Sequence, residues 1–189
     1  AIGVTGAAIG GIRDGAGNLL VPLLAVQLLW INILADGPPA LALGLDRNPG
    51  VLRLAPRPAS APLLGRRDVS FVLGTGVVKA AMGLTLFFTM PTLGYAAATT
   101  QTAVFLYESL AQLAFVYPSR RLGLTPARNR VLNGIIVGSV VLQILTVVLS
   151  PLRTMLALTT PDAATVAMVA GALAITVLAA ELWTRGARQ

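Results

Sequence analysis

The sequence predicts an all-α, polytopic membrane protein: a bundle of five spanning helices plus a partial one at the N-terminal edge. Three observations carry this. The 189 residues are 56% hydrophobic and only 11% charged, with a mean hydropathy of +0.80, whereas a soluble domain averages about 25% charged residues. Apolar runs near the spanning length of about 20 residues recur along the chain. The basic residues gather in alternate connections, the bias shown by multi-pass proteins with their positive loops inside.

Taken in order, Ala1 to Ile12 is too short to span and reads as the tail of a helix. "RDGAGN" (Arg13 to Asn18) is a turn, with Gly and Asn supplying positive φ. Leu19 to Leu45 is a span interrupted near its middle. Asp46 to Asp68 follows as a non-helical connection, because it holds four prolines and five arginines. Further spans are expected at Val69 to Met90, Thr102 to Tyr117, Val131 to Leu149 and Ala163 to Trp183. Ser150 to Asp162, between the last two, leaves room for a short interfacial helix. No internal repeat is evident, and the whole chain reads as one membrane domain.

Charge placement sets the topology and narrows the function. Arg47, Arg53, Arg57, Arg66 and Arg67 lie in the first polar connection, Arg120, Arg121, Arg128 and Arg130 in the second, and Arg185 and Arg188 at the C-terminus. Pairs of spans separate these clusters, so all three fall on one side, expected to be cytoplasmic. The net charge of +7 forms no contiguous soluble patch of the kind nucleic acid requires. The chain contains neither Cys nor His. Disulfides, thiolate metal sites, His–Asp catalysis and zinc hydrolysis are therefore excluded.

Chemistry concentrates at "WINILADGPPALALGLDR", Trp30 to Arg47. Pro38 and Pro39 lack an N–H and clash with the carbonyl four residues back, so the carbonyls of Leu34 and Ala35 are expected to be freed. Gly37 weakens the helix at the same point. Unpaired carbonyls survive at membrane depth only where protein or a water-filled cavity covers them. Beside the Asp36 carboxylate they make an oxygen set of the kind hard cations take. Asn32, four residues earlier, falls on the same helical face. The competing reading is a proline kink in which Asp36 caps the second half-helix. A membrane-embedded carboxylate costs roughly 2.5–3.5 kcal/mol, which a cap alone explains poorly.

Two other spans carry polar residues. Glu108 and Gln112 lie four apart on one face, beside Ser109, and Lys79 lies well inside its span. One reading has Glu108 and Gln112 completing the oxygen set, with Lys79 as a tethered counter-charge. The other has Lys79 and Glu108 neutralising each other, or Lys79 snorkelling outward. Gly76, Ala80 and Gly83 offer a small-residue face for close helix packing. Gln27 and Trp30 suit interfacial anchoring.

The stretch "PLLAVQLLWINILADGPPALALGLD" (Pro22 to Asp46) resembles the sixth transmembrane helix of P-type cation-transporting ATPases and its approach. Shared positions include Gln27, Leu28, Leu29, Trp30, Asn32, Asp36, Gly37, Pro39, Ala40, Ala42, Leu43 and Gly44. The Pro/Arg-rich "RLAPRPASAPLLGRRD" resembles the connection before that family's seventh helix, "AQLAFVYPSRR" the end of its eighth, and "AELWTR" the end of its tenth. The resemblance implies cation ligation by Asn32 and Asp36, with Gln112 where calcium pumps carry a glutamate ligand. Its partners would be the lipid bilayer, a metal cation or proton, and cytoplasmic pump domains using ATP and Mg2+, in a bacterial cell membrane with a cytoplasmic C-terminus. The sequence departs from the family's calcium pumps at Ala35, where they have a threonine ligand, and in "AIGVTGAAIGG", which lacks their Asn and Glu. The chain holds no D-K-T-G-T phosphorylation motif and no nucleotide-binding or "GDGxND" segment. It is expected to be the C-terminal membrane half of such a pump, inactive alone, or else a stand-alone truncated membrane protein without transport activity.

Overall fold

A computed structural model describes residues 20–45, 55, 58, 65–121 and 129–186. The partial span expected over Ala1 to Ile12, the following turn and most of the two arginine-rich connections lie outside the described residues. Among those described the architecture is entirely helical. We number the helices α1 (Ala25–Ile31), α2 (Gly37–Gly44), α3 (Arg66–Thr92), α4 (Ala97–Arg120), α5 (Arg130–Val148), α6 (Ser150–Met155) and α7 (Ala163–Gly186). A π-helical turn, Asn32–Asp36, joins α1 to α2.

Among the described residues four stretches are long and apolar enough to cross a membrane: Ala25–Gly44, Arg66–Thr92, Arg130–Val148 and Ala163–Arg185. Their outward faces carry large exposed apolar side chains, among them Ile33, Leu41, Val72, Leu73, Val77, Val137, Ile144 and Leu178. On a soluble surface such a belt would drive aggregation; here it is the surface that meets hydrocarbon.

The fifth expected span differs from the rest. α4 has 24 residues, about 36 Å at 1.5 Å per residue, enough to cross, but it is less apolar because it lies at the centre of the bundle. Thr102 to Tyr107 are buried without a gap, which covers the helix on every side. α4 packs against α3, α7, α5, α1 and the π-helical turn. Protein surrounds it, so its Thr, Gln and Ser side chains need not face lipid. It also outruns its expected bounds at both ends. Gln101 Nε2 donates to the Val21 carbonyl at 2.8 Å, and Pro118 sits in the last turn.

Side-chain ties mark the two ends of the bundle. At one end Asn129 caps α5 through the Leu132 N–H at 2.8 Å and donates to the Ala42 carbonyl at 2.9 Å. Arg121 pairs there with Glu181, and Trp183 fills the space beside Gly74, where a Cβ would lie 2.4 Å from its ring. At the other end Gln27 Nε2 donates to the Leu156 carbonyl at 3.0 Å, and Thr102 Oγ1 lies 3.2 Å from Thr159 Oγ1. Arg66, Arg67, Arg120, Arg121, Arg130 and Arg185 thus stand at helix ends on the same side. The α3–α4 turn closes through Gly94, whose φ of +87° suits a residue without a Cβ.

Two packing expectations are corrected. The close helix contacts of α3 use Gly74 against Trp183 and Gly83 against Glu108; Gly76 and Ala80 are exposed, on the outward side of the helix. Gln27 is fully buried, and Trp30 donates its indole N–H to Gln143 Oε1 at 3.2 Å. Both tie helices together rather than anchoring an interface, because each has a polar partner inside the bundle.

Candidate functional site

The interruption in the second span is absorbed as a π-helical turn. The Gly37 N–H reaches the Asn32 carbonyl, five residues back, which admits one extra residue per turn. Pro38 and Pro39 then open α2, the place where missing N–H groups do least harm. Of the two carbonyls expected to be freed, that of Leu34 accepts a hydrogen bond from Ser139 Oγ on α5 at 3.3 Å. Ser139, Gln143 and Thr146 form a buried polar stripe on α5. The sequence reading passed over this stripe, although the i, i+4, i+7 spacing in an otherwise apolar span is its signal.

Asp36 is half-buried at the junction. Its side chain makes no hydrogen bond to the α2 N-terminus, so the capping reading is corrected: the π turn places the carboxylate away from those amides. No described side chain pairs with it. It lines a cavity of about 280 Å³ together with Ala35, Pro39, Leu43, Gln112 and Ser119, room for several waters at roughly 30 Å³ each. Asn32 is exposed and does not line this cavity. The expected sharing of one helical face with Asp36 therefore does not bring the Asn32 amide to the cavity.

Lys79, Glu108 and Gln112 come together between α3 and α4. Lys79 Nζ lies 3.0 Å from Glu108 Oε2, with side chains only 17% and 23% exposed, and donates to Gln112 Oε1 at 2.8 Å. Lys79 therefore turns inward and does not snorkel. Gly83 makes room for the carboxylate: a Cβ there would stand 2.6 Å from Glu108 Oε1. Tyr107 Oη donates to the Lys79 carbonyl at 3.1 Å and lies 2.8 Å from Thr176 Oγ1, fastening α3, α4 and α7 at this level. Among the described residues no three acidic side chains converge as a metal-binding group. Beside the cavity stand the Asp36 carboxylate and the Gln112 side chain, the latter with its amide oxygen already bonded to Lys79.

These features define a class: a helical membrane domain with a broken span, a carboxylate at the break and a cavity beside it. The particular family follows from comparison with known proteins. Residues 20–185 match the family model described as "Cation transporting ATPase, C-terminus", and the chain belongs to that family, the C-terminal membrane domain of P-type cation ATPases. It is 33% identical over 147 residues to a calcium-transporting ATPase of Bacillus subtilis, a match covering 71% of this chain and 16% of that protein. It is 31% identical over 140 residues to calcium-transporting ATPase 1 of Schizosaccharomyces pombe, covering 70% and 15%. A murine calcium-transporting ATPase type 2C member 2 is 38% identical over 92 residues, 47% of the chain and 10% of that protein. The chain thus spans about a sixth of the first two relatives.

Proposed function

We propose that this chain is the ion-carrying membrane half of an ATP-driven cation pump, and that Asp36 is its main ligand. The observation that carries the proposal is the Asp36 carboxylate, which stands at a proline-opened π turn without a described partner and faces a cavity also lined by Gln112. A half-buried carboxylate without a counter-charge is unfavourable in a bilayer unless something positive arrives to neutralise it. The backbone carbonyls at the break, chiefly that of Ala35, supply neutral oxygen donors beside it, a device transporters use at discontinuous helices. Asn32 contributes only if α1 rotates to bring it inward.

In this reading ATP and Mg2+ act on segments of the complete pump outside this chain, and motion generated there is delivered to the break. The end bearing Arg66, Arg67, Arg120, Arg121, Arg130 and Arg185 faces the cytoplasm of a bacterial cell, as the positive-inside bias requires. The C-terminus lies on that side.

The test is Asp36→Asn in the full gene product, assayed for ATP-driven cation uptake into inverted membrane vesicles. Uptake should fall at least tenfold, about 1.4 kcal/mol or more of lost binding. Unchanged uptake would sink the proposal. A gene whose frame upstream of codon 1 encodes no phosphorylation domain would instead support a stand-alone membrane protein without transport.

A further inference from the structure

The geometry points to Lys79 as a built-in cation: its ammonium takes up Glu108 and Gln112 and so withholds both α4 oxygen donors from a transported ion. The inference rests on the reading of Asp36 as the main ligand. It assigns the neighbouring cluster a role in setting how many ions the domain carries.

Three observations support it. Lys79 Nζ sits 3.0 Å from Glu108 Oε2 and 2.8 Å from Gln112 Oε1, both within the range of charge-assisted hydrogen bonds. An ammonium has only donors, so the Gln112 oxygen, not its nitrogen, must face Lys79. The Gln112 group left for the cavity it shares with Asp36 is then an NH2. An NH2 suits a carboxylate and repels a cation. Finally, the pair has a prepared place. Gly83 supplies the volume Glu108 occupies, and the Tyr107 hydroxyl holds the α3 backbone at Lys79 itself. A lysine that merely reached for solvent would need neither.

The consequence is a site divided in two. Asp36 and the break carbonyls are open to an incoming ion, whereas the carboxylate and amide of α4 already hold a permanent, tethered one. Removing the ammonium while keeping the side-chain volume should convert the second half into a further ion site.

The experiment uses the full-length pump and counts radiolabelled calcium bound per protein at equilibrium. Lys79→Met should bind one more calcium per pump than the parent. Lys79→Arg, which keeps the charge, and the double variant Lys79→Met/Glu108→Gln, which removes the new carboxylate, should both return the parental count. An unchanged count in folded Lys79→Met overturns the inference and leaves Lys79 as a structural tie.

If Lys79→Met does not fold, the unmutated pump decides through mass-spectrometric mapping of carbodiimide-labelled carboxyls. Calcium should lower labelling of Asp36 at least tenfold and leave that of Glu108 unchanged. A Glu108 signal that falls together with Asp36 makes Glu108 a ligand and overturns the inference alone. An Asp36 signal indifferent to calcium and to every other cation tested overturns the Asp36 reading and this inference together.

Discussion

The two flanks of α4 use polarity in opposite ways. Toward α3 and α7 the polar groups are matched: Lys79 with Glu108, Tyr107 with Thr176, Arg121 with Glu181. Toward the broken helix a carboxylate stands without a described partner beside a cavity, and a backbone carbonyl is held only by a long bond from Ser139. A satisfied network rigidifies, whereas an unsatisfied group stays available to a ligand. On the proposed reading of Asp36, the first flank is a frame and the second the part that would change its contacts when an ion binds. Gln112 is the shared wall, bonded to the frame through its oxygen and lining the cavity with the rest of its side chain.

The largest expected effect beyond Asp36 itself comes from closing the break. Pro38→Ala/Pro39→Ala restores two N–H groups and lets the carbonyls of Leu34 and Ala35 enter ordinary helical bonds. Apparent cation affinity in the full pump should weaken about tenfold, or 1.4 kcal/mol, while the detergent melting temperature holds or rises. Weakened affinity accompanied by a lower melting temperature would mean that the break is part of the frame. Tyr107→Phe should do the reverse. It removes the hydroxyl that bridges α3 and α7 and should cost about 0.6–1.7 kcal/mol, the range for interhelical hydrogen bonds in membranes, with ion affinity unchanged. An altered affinity in that variant would erase the distinction between the flanks. The smallest effect is expected from Ser139→Ala. Its single bond to the break is worth about 0.6 kcal/mol, and affinity should shift by no more than about threefold. A larger shift would make α5 part of the changing flank.

The helices were legible wherever apolar runs ended at charges or glycines. α3 spans Arg66–Thr92 against an expected Val69 to Met90, α5 spans Arg130–Val148 against Val131 to Leu149, and α7 begins at Ala163 in both. α4 was read too short because Ala97 to Gln101 and Pro118 become helical through tertiary contacts that leave no hydropathy signal. The helix break was legible from Gly37, Pro38 and Pro39, but not its form. Local sequence does not distinguish an open gap from a π turn, nor does it show that Asn32 stands exposed and outside the cavity that Asp36 lines. Partners across helices were the least legible. The sequence offered Lys79 and Glu108 as a pair, but the inclusion of Gln112, the Ser139 bond and the Trp30–Gln143 tie all depend on helix rotation and register. Periodicity within one span does not encode these.

The central position of α4 also bears on how the protein reaches its membrane. Released singly into lipid, α4 carries the Glu108 charge and α3 the Lys79 charge, each at a penalty of roughly 2.5–3.5 kcal/mol near the middle of a span. The short turn Leu93 to Ala96 lets the two meet as a hairpin in which each charge cancels the other. The insertion machinery therefore has reason to retain α3 until α4 arrives and to release them together. In a glycosylation-mapping assay, α4 appended to a reporter alone should integrate poorly and the α3–α4 hairpin efficiently; equal integration of both would show that α4 needs no companion.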